Sequence, residues 1–238
     1  MNRETRQLIT IVRKEAREIV TNRILFVSGM FFAVWFAAMA ALGVGQSEEL
    51  SPAVQLNNSL FYTGALIGVF ISYIYSGQTY LREKFSGIVE TLLCAPVSLR
   101  TLWIGKALGV VGPSYVMALV AGGVMVAMAN SRTDELILPG AAVIVHMLVV
   151  MPVFIAAAVG LIGFAQLMLG MRENVVVNMG SITVLLAALA ITRMIVDDRS
   201  LVSWTAVGWL LVGSLLLLGA TAYLGRFLSK ERIVTGIA

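Results

Sequence analysis

Six apolar stretches, at about 24–44, 58–79, 107–129, 138–169, 175–196 and 203–225, alternate along this chain with short polar segments. A helix rises ~1.5 Å per residue, so each stretch reaches the ~30 Å of a bilayer's hydrocarbon layer. The pattern predicts an all-α polytopic membrane protein with six transmembrane helices, forming a single transmembrane domain over 1–238. The stretch 138–169 is too long for one upright helix and too short for two. It is expected to be one tilted span kinked near Pro152, and Pro113 is expected to bend the third span. No repeat of fixed period and no low-complexity tract interrupts the chain.

Two other segments carry a helical rather than a continuous apolar pattern. Within 1–23, Leu8, Ile9, Val12, Ala16, Ile19 and Val20 fall in an arc of about 120°, with basic and acidic residues elsewhere and only Ile11 out of place. An interfacial amphipathic helix is expected there, its apolar side in the acyl chains; a simpler reading is a basic flank that sets topology. Between the second and third stretches, Phe85, Ile88, Val89, Leu92 and Leu93 recur at helical spacing, while Glu83, Lys84 and Glu90 occupy other angles. Pro96 ends this segment, and Ser98 can cap the helix that follows. A short amphipathic helix over 83–95, inside a loop of 82–98, is the expectation. Periodicity alone also fits a helix that floats on the membrane surface.

Charge fixes the orientation. With six spans, fourteen of the 17 Lys and Arg residues fall on the side that holds both termini, in 1–23, 80–106, 170–174 and 226–238. Only Arg132, Arg193 and Arg199 fall opposite, beside Glu48, Glu49, Asp134, Glu135, Asp197 and Asp198. The positive-inside rule then predicts cytoplasmic termini in a cell membrane, inner or plasma. Splitting 138–169 would move Arg172, Arg226, Lys230 and Arg232 outside, against that rule. A composition of 59% hydrophobic and 13% charged residues excludes an ordinary soluble domain and a disordered chain.

Candidate chemistry is sparse. One cysteine, Cys94, excludes an internal disulfide framework, and one histidine, His146, leaves no zinc cluster. The pair Gly105-Lys106 lacks the upstream glycine of a phosphate loop and is followed by alanine. The predicted spans hold no Asp or Glu, so neither an intramembrane enzyme nor an ion-coupled carrier is favoured. No metal site, catalytic set or nucleic-acid partner is expected. His146 reads as a structural histidine or as a residue on a transport path, and Cys94 as a small packing residue. Gly64, Gly68, Ser72 and Ser76 make a small-residue stripe along the second span, suited to close helix contact. The same stripe, with Asn178 and Ser181 on the fifth span, could instead line a path.

The order Glu83, Gly87, Glu90, Leu92, Leu93, Pro96 and then Gly105-Lys106 resembles the cytoplasmic-loop signature of type 2 ABC transporter permeases. That family's loop commonly reads Glu, a few residues, Gly-x-x-Glu-x-Leu-Leu, Pro, then Gly-Lys. The match covers 82–108 in motif and the whole chain in layout. The resemblance implies the membrane subunit of an ATP-driven exporter, paired with a second copy or a paralogue in the lipid bilayer. It also implies a separate ATP-binding subunit that holds the ATP and Mg, so that this chain carries no cofactor. The helix over 83–95 would be the coupling helix. Phe85, Ile88, Leu92 and Leu93 would then fill a groove on the ATPase, with Glu83 and Glu90 at its rim. The turn containing Arg172 and Glu173 would make a second, smaller contact. The short Asp197-Asp198-Arg199-Ser200 segment departs from the larger outer turn of many members. A membrane scaffold or assembly protein, or a small secondary carrier without an ATPase partner, is the alternative function.

Overall fold

The computed structural model describes residues 3–46, 49–88, 94, 96–133, 136–169, 179, 180, 183, 187, 201–229 and 233. Helix α1 is Arg3–Thr21, and α2, Arg23–Leu42, follows after a break at Asn22, whose side-chain oxygen accepts from Leu25 N–H. Helix α3 begins at Pro52 behind a Ser51 cap, runs to Ser76, passes a π turn, Gly77–Leu81, and ends in a last α turn, Arg82–Phe85. Helix α4 is Leu99–Asn130, and Ser98 caps it by accepting from Thr101 N–H at 3.0 Å. Helix α5 starts as Ala141–Val145, takes a π turn at His146–Val150 and continues as Met151–Met168. Helix α6 is Trp204–Leu224, capped by Ser203 and followed by a 3-10 turn.

Five of these helices, α2 to α6, are long and apolar enough to cross a membrane, and no strand occurs among the described residues. They match the first, second, third, fourth and sixth apolar stretches. The expected fifth span, 175–196, lies almost wholly outside the described residues. The stretch around 138–169 is one helix, as its length and the charge argument required. Its irregularity falls at the π turn just before Pro152, where the wider turn accommodates a residue that cannot donate to the preceding turn. Helix α4 runs on through Pro113.

Helices α3, α4 and α5 form the centre and α2 and α6 the flanks. In its most apolar stretch α3 buries 61% of residues and α6 only 17%. Leu60, Phe61, Ile67, Met117, Ala121, Met151 and Ile155 make the core. Lipid is as apolar as these side chains, so close packing rather than escape from water holds the helices together. Small residues let that happen. A Cβ at Gly64 would sit 2.9 Å from Met151 Cε, and one at Gly68 would sit 2.6 Å from Ile155 Cδ1.

These contacts also fix direction. Helix α6 touches the first turns of α5, and Thr221 Oγ1 near its end donates to the Ala157 carbonyl further along α5 at 3.4 Å, so the two run the same way. The chain therefore leaves α5 at one end of the bundle and re-enters α6 at the other. The end that gathers α1, the last turn of α3 and the first turns of α4 is called the basic end below.

Candidate functional site

Helix α1 lies against the first turns of α4 and runs in the same direction. Ile11 sits over Gly105 and Glu15 over Gly109, where a Cβ would meet Ile11 Cγ2 at 2.7 Å and Glu15 Cβ at 2.5 Å. The Gly105-x-x-x-Gly109 spacing is what permits this approach. It also corrects the expected apolar face of α1. The protein-facing side is Ile11, Glu15 and Ile19, whereas Ile9 and Val20 are half exposed. The helix uses one edge of its apolar arc for the bundle and leaves the other edge outward.

Between the two glycines, Lys106 points into the three-way junction of α1, α3 and α4. Its Nζ lies 2.9 Å from Glu15 Oε1 and 2.6 Å from Glu83 Oε2. Lys14 approaches from the other side, 3.1 Å from Glu15, 3.3 Å from Glu83 and 3.6 Å from Glu18. Lys106, Glu15 and Glu83 are buried and Lys14 is 54% exposed. Charges withdrawn from water are tolerated only when paired. Burial alone would lower the Lys14 pKa, but Glu15 and Glu83 outweigh that effect, with Glu18 adding to it, and hold it above the ordinary lysine value.

The next residue, Lys84, is also buried and turns the other way. Its Nζ donates to the Leu167 carbonyl at 3.3 Å and to that of Leu169, closing the end of α5 with a cation where the helix dipole favours one. Nearby, the Tyr80 ring presses on Gly163 and its hydroxyl donates to the Trp103 carbonyl at 3.3 Å. The last turns of α3 thus fasten α1, α4 and α5 together.

A π turn makes this reach possible. In an α-helix each four-residue step overshoots a full turn by ~40°. Repeated from Gly64 to Lys84, that drift would swing the row to the far side of the helix. The single π turn at Gly77–Leu81 adds one residue and takes up about half of that drift, and Gly64, Gly68, Ser72, Ser76, Tyr80 and Lys84 are all buried. Ser72 donates to its own helix at the Val69 carbonyl.

The expected helix over 83–95 is corrected at its start, while Ile88 and Cys94, the described residues within its remainder, are helical. Glu83, Lys84 and Phe85 belong to α3, and the helix stops at a Ser86–Gly87 turn in which Gly87 has a φ of +71°, a conformation that suits glycine. Glu83, expected at the rim of a partner's groove, faces inward to Lys106 and Lys14. Ile88 is 47% exposed, and Cys94 and Pro96 are exposed. Gln7 Nε2 donates to the Pro96 carbonyl at 3.3 Å, so α1 also touches the far part of the loop. Glu90, Leu92, Leu93, Arg172, Glu173, Asn178 and Ser181 lie outside the described residues, as does the Phe85 side chain.

Sequence reasoning missed Glu15 and Lys106. Two signals pointed to them: Ile11, Glu15 and Ile19 form a four-residue stripe with a charge in the middle, and Gly105 and Gly109 flank Lys106. At the other end His146 is buried against Phe61, ring centroids 4.4 Å apart. No group of His, Cys, Asp and Glu able to hold a metal occurs among the described residues. What the arrangement does is tie α1, α3 and α4 together beside both ends of the loop.

Compared with known proteins, the chain matches no family model and no curated protein.

Proposed function

We propose that this chain is the membrane subunit of an ATP-driven exporter of the type 2 ABC permease kind, working as a pair with a separate ATP-binding subunit. The observation that carries the reading is the buried charge cluster. It anchors the loop 86–98 at both ends, through Glu83 on the way out and Lys106 soon after the return. Such an anchorage suits a loop that passes force from a partner into the helices on either side of it. In this reading the basic end faces the cytoplasm and both termini lie there. A sixth crossing joins α5 to α6, which is supported by the parallel course of those two helices.

The partner holds ATP and Mg, and this chain holds no cofactor. Closure of the ATPase pair presses on the loop. Glu83 and Lys106 are ion-paired, so α3 and α4 move as one body with α1 attached. Access to the path then changes from one side to the other, driven by the partner's different affinities for the two states. Ile88, exposed just past the Gly87 turn, is the apolar residue nearest the loop's anchored end and is assigned to the partner's groove.

The test is to purify the full chain from its own host with and without Ile88→Asp, and to measure the ATP-binding protein recovered with it and the ATP turnover. An exposed residue tolerates a charge in the free chain, whereas a groove anchor does not. Recovery of the ATP-binding protein is expected to fall roughly tenfold, with membrane insertion unchanged. Equal recovery from both, or no ATP-binding protein from either, sinks the exporter reading.

A further inference from the structure

Where the start of α2 passes the end of α3, a groove of about 600 Å³ opens on the side of the bundle. The two helices are antiparallel, so the groove is ordered along its length. Asn22 and Arg82 stand at the basic end, Gln78 is one turn further in, and Ile24, Ser28 and Ile74 form the deeper wall. One end is therefore cationic and rich in donors, and the other largely apolar.

The donors are available. Asn22 spends its side-chain oxygen on Leu25 N–H, which leaves its amide N–H groups free to point elsewhere. Gln78 and Arg82 are exposed, and their side chains make no hydrogen bond or ion pair among the described residues. Arg82 contrasts with its neighbours: Glu83 and Lys84, on the same turn, are both buried and engaged. No carboxylate is among the described residues that line the groove, and the exposed Arg23 follows Asn22 in the chain. The π turn Gly77–Leu81 forms this wall, and Gly77 leaves open space where a side chain would project. Such turns in membrane helices often mark sites of function.

We infer that this groove binds one anionic phospholipid from the leaflet at the basic end, with its phosphate on Arg82, Gln78 and Asn22 and an acyl chain along Ile24 and Ile74. A guanidinium beside amide donors suits a phosphate, and an apolar wall at acyl-chain depth suits its tail. The lipid would fill the notch between α2 and α3 next to the charge cluster, so headgroup charge would bear on the junction of α1, α3 and α4. The inference does not depend on the exporter reading.

It is tested with the full chain in phosphatidylcholine vesicles carrying spin-labelled phosphatidylglycerol or spin-labelled phosphatidylcholine, by measuring how much of each label is immobilised. The phosphatidylglycerol label is expected to be preferred, and Arg82→Gln to reduce that preference about fivefold, the effect of one basic residue near a membrane surface. Gln78→Leu and Ser28→Phe, one removing a donor and one filling the groove, are expected to reduce it too. Arg13→Gln, on the exposed side of α1, is expected to leave it unchanged. An equal loss in Arg13→Gln, or a preference that survives both Arg82→Gln and Ser28→Phe, would mean general surface charge and overturns the site. Displacement of the label by inorganic phosphate alone also overturns it, because the acyl wall would then contribute nothing.

Discussion

At one end of the bundle Asn130 and Asn57 hold the chain with neutral amides; at the other, Glu15, Glu83 and the two lysines hold it with charges. Asn130 accepts from Ile137 N–H at 2.6 Å and donates to the Ile137 and Val126 carbonyls at 2.9 Å. Asn57 accepts from Gly140 N–H at 2.6 Å while donating to Ala53. Each amide bond is separate, directional and complete in itself. The charged cluster is interdependent at its buried centre: Lys106, Glu15 and Glu83 tolerate burial only while they stay together. Amides fix a turn in one shape, whereas an ionic cluster joins elements far apart in sequence and fails as a unit. Buried ion pairs add little to net stability compared with apolar packing, so their value lies in what they connect.

Removing Lys106 is expected to do the most damage. Lys106→Met leaves Glu15 and Glu83 buried with only the half-exposed Lys14 beside them. An uncompensated buried charge costs about 3–5 kcal/mol. A large drop in the thermal midpoint of the detergent-solubilised chain is expected. Adding Glu15→Gln restores the balance of charge and should recover part of the loss. If Lys106→Met melts with the parent chain, the cluster is no anchor and the contrast between the ends disappears.

Five of the six expected spans were legible in the sequence as long apolar helices, because apolarity over ~20 residues has few other meanings. Their limits were legible only in part: Ser98 marked the start of α4, but α3 runs past its apolar stretch because Glu83 and Lys84, polar in the sequence, are buried by partners up to 85 residues away. The face of α1 came out rotated for the same reason: hydropathy counts Glu15 as a surface residue, and only the fold supplies Lys106. The first turn of the loop helix merged with α3 since both share one periodicity. A Ser-Gly pair is a much weaker stop signal than Pro96, and the positive φ of Gly87 has no separate mark in the chain. The π turn that helps keep the Gly64-to-Lys84 row inward likewise leaves no sequence signal beyond the four-residue spacing itself.

A milder test falls on the amide end. Asn130→Ala removes both bonds to Ile137, a buried residue whose N–H and carbonyl then lose those partners. The loss is expected at about 1–2 kcal/mol, since water near the turn can replace part of what the side chain gave. It should not vary with salt, because no ionised group is involved. Hydrogen exchange at the Ile137 amide should rise while the helices keep their protection. A loss as large as that of Lys106→Met, or one that varies with ionic strength, would erase the distinction drawn between the ends.

Lys14→Ala is the finest probe, because Lys14 belongs to the cluster yet stands half in water. Its partners Glu15 and Glu83 keep Lys106, and solvent and counter-ions can take the place of the lost ammonium. The expected cost is about 0.2–1 kcal/mol, the range of an exposed pair, and it should shrink as salt is added. The pH dependence has a definite sign. The Lys14 pKa is raised in the folded chain, so its contribution is complete below the usual lysine range and is lost only as pH rises toward the raised value. Between pH ~6 and ~9 the difference in melting temperature between Lys14→Ala and the parent should therefore stay constant as far as Lys14 is concerned. A gap that closes within that window would mean that Lys14 deprotonates near neutrality. The carboxylates would then not be holding its charge, and Lys106 alone would carry the junction.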